Sequence, residues 1–92
     1  MKPLILTPDG RPTSERGPAV VWQRLSRTPR PQVMEQVPTT GDVVAVVTGD
    51  PAVIQALLSA EHWNHAWRAS AVLNGHLRYT ARTLATFEWP AP

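Results

Sequence analysis

Glu61-His62-Trp63-Asn64-His65, with His76 further along the chain, is the constellation in this sequence that comes nearest to ligand chemistry. Two histidines at i and i+3 share one face of a helix, and His76 could join them across a turn to bring three imidazoles together, the number a catalytic zinc site uses. The chain has no cysteine, and no fourth ligand stands at a matching spacing. His62, His65 and His76 are therefore weak metal candidates, and no cofactor is expected. The competing role is structural, with imidazoles capping carbonyl groups at a helix end beside anchoring tryptophans.

Arginines form the second candidate. Arg68, Arg78 and Arg82 fall on one expected sheet face with His76 and Thr80, where three guanidinium groups would suit phosphates or an acidic protein surface. Tyr79 is expected on the opposite face, so the interleaved aromatics of a single-strand nucleic-acid binder are missing. A solvated polar face is the plain alternative. Arg24, Arg27 and Arg30, around Pro29 and Pro31, make either a basic extended arm or a solvated linker. Formal net charge is +2, distributed as +3 over residues 1–40 and −1 over residues 41–92. The bias toward an anionic partner belongs to the first part.

Tryptophan occurs four times. Trp67 and Trp89 fall on the expected buried face, which leaves Trp22 and Trp63 as candidate exposed anchors for a partner. Signals for catalysis are scarce: the chain has no Gly-rich phosphate loop, no G-x-S-x-G and no cysteine nucleophile. Ser59 or Ser70 with a histidine could begin a triad, but no spacing selects one. Asp50 stands where a helix N-terminus would hold an anion, and its own carboxylate fills that role. No catalytic residue is assigned.

The elements that must position these groups divide at about residue 40. Seven of the ten prolines lie in residues 1–40, which are read as a Pro-rich, partly extended segment contributing edge strands. Leu4-Ile5-Leu6 and Ala19–Leu25 are its strand candidates, and Thr7-Pro8-Asp9-Gly10 is a turn in which each residue type suits its corner. Residues 41–92 read as a compact β-α-β-β core. Asp42–Thr48 is apolar and β-branched, as in a strand covered on both faces. Asp50-Pro51 starts a helix expected to run to His62, with Val53, Ile54, Leu57 and Leu58 as its apolar stripe.

From His76 to Trp89 apolar and polar residues alternate, which predicts a long strand. Asn74-Gly75 predicts a hairpin back to residues 66–72. A three-residue loop aligns the apolar rows, placing Ala71 opposite Leu77, Ala69 opposite Tyr79 and Trp67 opposite Ala81. The rival reading is one helix from Pro51 to Leu73 that stops at Gly75.

One domain follows from the 92-residue length. Its class is α+β: a small, mainly antiparallel sheet in β-β-α-β-β order, with one helix on one face and the Pro-rich N-terminal arm. The longest apolar run is far short of a membrane span, so no membrane partner is expected and a cytoplasmic location, or a virion, is. The functional expectation is a non-enzymatic protein-interaction module, of a size that suits a virion or assembly component or a small inhibitor from a mobile element. Its partner is another protein or a second copy. The alternative is a nucleic-acid-binding module using the arginine-bearing face.

Overall fold

Val43–Val47 (β5) is the spine of the larger sheet, and its central residues Val44, Ala45 and Val46 are buried as their composition implies. In the computed structural model, which describes residues 2–91, β5 pairs in parallel with β1 (Leu4–Leu6) and antiparallel with β2 (Ala19–Gln23). β4 (Gln32–Met34) then pairs antiparallel with β2, giving the order β1-β5-β2-β4. β1 and β4 are edges. β2 is internal, because Ala19–Trp22 is an unbroken apolar run that the sheet covers on both sides.

A helical layer covers one face of this sheet. Asp50 accepts a hydrogen bond from the Ala52 amide at 2.9 Å and starts α1 (Pro51–Leu58) where the sequence places it. The helix does not continue to His62. The Ser59 hydroxyl donates to the Ala56 carbonyl at 2.6 Å and accepts from the His62 amide at 3.2 Å, closing α1 and opening α2 (Ala60–Ala69) in one residue. Neither the helix to His62 nor the unbroken helix to Leu73 forms. Residues 66–69, expected in a strand, are helical, with His62 and Ala66 turned inward at the i, i+4 spacing of one helix face.

The hairpin exists but is short. β6 (Ala71–Leu73) pairs with β7 (His76–Arg78), and β7 pairs on its other side with β3 (Leu25–Ser26), making a second antiparallel sheet of order β3-β7-β6. Asn74 and Gly75 both have positive φ, 51° and 79°, as a two-residue type I′ turn requires. Leu73 therefore faces His76 and Ala71 faces Arg78, and the three-residue register is wrong. The physical reason is that Asn74 and Gly75 supply both left-handed residues of the tight turn, which puts Val72 on the face of buried Leu77, although at the sheet edge Val72 itself stays exposed. Ala71 is small enough to lie on the solvent face beside Arg78.

The expected strand to Trp89 also ends early. Thr80 caps α3 (Ala81–Ala85) through reciprocal hydrogen bonds with Thr83, so burial beyond Tyr79 follows a helix, at Thr83 and Leu84. Leu77, Tyr79 and Phe87 are nevertheless buried. The core joins Leu6, Val20, Trp22, Val44 and Val46 of the large sheet to Leu57, Ala66, Leu77, Tyr79 and Leu84. A smaller cluster on the far face, around Ala19, Val21 and Ala45, is covered by Val37.

The Thr7–Gly10 turn docks on α3. Gly10 has φ +86°, and a β-carbon there would sit 2.8 Å from the Ala85 amide nitrogen and 2.9 Å from the Ala81 carbonyl. Only glycine permits both the conformation and the approach. The fold is α+β with mainly antiparallel pairing, and its helical layer consists of three short segments. Among the described residues, no helix is long and apolar enough to cross a membrane.

Candidate functional site

α2 turns His62 into the core, where it is 0% exposed and has both ring nitrogens engaged. A carbonyl can only accept, so Nδ1–H donates to the Leu57 carbonyl at 2.7 Å. Nε2 is then the acceptor for the Tyr79 hydroxyl, also at 2.7 Å. Burial pushes the His62 pKa down to about 4; the Leu57 carbonyl opposes this and His65 adds to it. Burial raises the Tyr79 phenol above its ordinary value. The two side chains are thus held as a neutral pair that spans α2 and the end of β7.

Aromatic rings surround the pair. Trp22 lies 5.5 Å from His62, 4.9 Å from Tyr79 and 5.2 Å from Trp63, each in edge-to-face geometry. Phe87 meets His62 at 5.1 Å and Trp89 at 5.0 Å. The indole N–H groups of Trp22 and Trp63 are enclosed with no acceptor among the described residues. Trp22, expected as an exposed anchor, is 1% exposed because β2 is internal. Trp63 is half-buried against it. Trp67, expected in the core, is 37% exposed, because residues 66–69 are helix and turn it outward; Trp89 is half-buried.

The remaining histidines have other hydrogen-bond partners. His65 donates from Nε2 to the Thr83 carbonyl at 2.7 Å, tying α2 to α3, and the Ser70 and Thr83 hydroxyls share a 2.7 Å hydrogen bond beside it. His76 sits on the hairpin, its Nδ1 3.2 Å from the Asn74 carbonyl. The three imidazoles do not converge, since the fold commits each to a different carbonyl. Among the described residues no group of three or more histidine, aspartate or glutamate side chains could hold a metal ion.

The arginine-bearing sheet face does not assemble either. Arg68 is on α2 and Arg82 on α3, because the strand that was to align them is largely helical. Arg68 lines a shallow depression with Glu61, His65 and Glu88. Arg27 and Arg30 are exposed in the loop between β3 and β4, where the Arg30 amide donates to the Gln23 side chain at 2.8 Å.

Arg24 and Arg78 are the two that line a common groove. With Leu25, Leu73 and Asp42 they line an open groove of about 300 Å³ on the small sheet. Leu25, 47% exposed, is in register with Arg78, and Leu73, 54% exposed, is in register with His76, so all four share its outer face. Arg24, Arg78 and Asp42 form no ion pair; among the described residues the only one is Arg11–Asp9, at 3.2 Å. Sequence reasoning missed the two leucines. Their signal was the two-residue Asn74-Gly75 turn, whose register puts Leu73 on the same face as Arg78. No protein-family model matches the chain, and no curated protein or solved structure matches it.

Proposed function

We propose that this chain is a non-enzymatic protein-interaction module that binds through the outer face and open edge of its small sheet. The observation that carries this reading is the concentration of exposed apolar side chains there. Of the six exposed large apolar residues among the described ones, Leu25 and Leu73 lie on this outer face and Val72 stands at the open edge with its side chain on the other face. β6 has a strand on one side only, and an unpaired edge is a template for an added strand. Two free arginines beside the leucines supply the polar contacts that give such a surface orientation.

A nucleic-acid-binding module is the second reading, supported by the same unpaired Arg24 and Arg78. Selecting random displayed peptides on the immobilised full chain tests the first. Peptides should enrich, and should be lost when Leu25→Gln and Leu73→Gln are combined. Equal enrichment on the chain and the double variant would overturn the reading. Binding of a single-stranded oligonucleotide that falls steeply with log salt would favour the second reading, since each released phosphate counterion steepens the slope.

A further inference from the structure

Resting on that reading, we infer that the occupant of the β6 edge is an extended segment of a partner protein carrying an acidic residue two positions from an apolar one. Its carboxylate meets Arg78 beside Ala71, and its apolar side chain covers Leu73.

The register supplies the argument. Across a two-residue turn the flanking pair, Leu73 and His76, is the hydrogen-bonded one, and the pattern alternates along the ladder. Leu73 and Ala71 therefore direct their backbone groups at β7, while the Val72 N–H and carbonyl point to the open edge. An added strand pairs with Val72, and its residues beside Ala71 and Leu73 continue the two outer-face rows. Neighbouring strands are about 4.8 Å apart, so Arg78 starts one strand away from the newcomer. Ala71 between them has only a methyl group, over which a guanidinium stem can extend.

The row through Leu73 differs. Its exposed isobutyl group is itself the nearest side chain to the added strand, and covering it calls for an apolar residue. Alternate residues of a strand face the same side, which makes the spacing two. Charge agrees with this pattern. The groove holds Arg24 and Arg78 against a single carboxylate, Asp42, and none of them is ion-paired. A second copy does not fit as well: β6 offers only Ala71, Val72 and Leu73, and brings no carboxylate to Arg78.

The test uses the isotope-labelled full chain and three probes. These are the peptide Thr-Thr-Glu-Val-Leu-Thr-Thr, the same peptide with Lys in place of Glu, and a twelve-nucleotide oligo-dT strand. The Glu peptide should shift amide resonances of residues 24–25 and 71–78 and slow hydrogen exchange at Val72. Arg78→Glu should weaken the Glu peptide about tenfold and favour the Lys peptide by a similar factor.

Val72→Pro removes the outward amide together with a side chain that is about half exposed, and should abolish binding of a folded chain; if that variant does not fold, the charge swap at Arg78 decides. Equal binding of both peptides, or no effect of Arg78→Glu, overturns the acidic occupant and leaves the interaction reading standing. Concentration-dependent dimers giving the same shifts without peptide do the same. Oligo-dT binding that needs Arg78, with both peptides inert, overturns both. Silence from all three probes overturns the inference, and the display selection then decides the broader reading.

Discussion

The Tyr79 hydroxyl donates to Nε2 of His62 over 2.7 Å, and neither side chain has any solvent exposure. Tyr79→Phe keeps the ring and its contacts but leaves Nε2 a buried acceptor without a donor. The expected cost is about 1–3 kcal/mol, read from the urea midpoint at an unchanged slope. An unshifted midpoint would mean that the hydrogen bond contributes nothing net.

The same pair sets a pH dependence. Burial holds the folded His62 pKa at about 4, against 6.5 in the unfolded chain. The unfolded chain takes the proton first, so this contribution is whole above pH 6.5 and is lost as pH falls from 6.5 to about 4. The difference is worth about 3 kcal/mol. Urea midpoints across that range should fall accordingly, and His62→Gln should be less stable at neutral pH but with a shallower slope. A wild-type midpoint that stays flat down to pH 4 would contradict the buried neutral imidazole.

Gly10→Ala should be among the costly small substitutions. It places a non-glycine residue at positive φ and drives its methyl group into the α3 backbone. The expected loss is about 2 kcal/mol or more, a fall in Tm of roughly 8 °C or greater for a chain of this size. Gly75→Ala shares the positive φ but meets no atom within 4 Å, so it should cost less. Equal losses would show that α3 yields to the turn.

Leu25→Gln and Leu73→Gln should each change stability by less than about 0.5 kcal/mol, as substitutions on an exposed face do. Chemical denaturation measures this directly. A larger loss would assign these leucines to holding the small sheet together instead of to a partner.

Local signals were legible where one residue type dominates its position. Asp50 and Pro51 start α1, the Val43–Val47 run forms β5, and Thr7–Gly10 turns where expected. The final third was harder, because two periods overlap there. Leu77 and Tyr79 follow strand alternation, but Ala81, Thr83 and Ala85 extend the same parity into a helix that the Thr80–Thr83 box initiates. Ser59 carries an ambiguity of another kind, since a serine in a helical pattern reads as a tolerated polar residue until its hydroxyl is seen bonding both ways. The His62–Tyr79 contact links residues 17 apart through tertiary packing, for which no local pattern exists.

Arg24 has a second role besides lining the groove. Its carbonyl accepts from the Tyr79 amide at 2.9 Å and its amide donates to the Asp42 carbonyl at 3.1 Å, so it is the stitch between the two sheets. Trp22 is two residues away and stacks edge-on against Tyr79. A ligand that pulls on Arg24 therefore strains a segment wired to the indole at the centre of the protein. The chain carries its own optical gauge, and titrations can be followed by ultraviolet emission without attaching a dye.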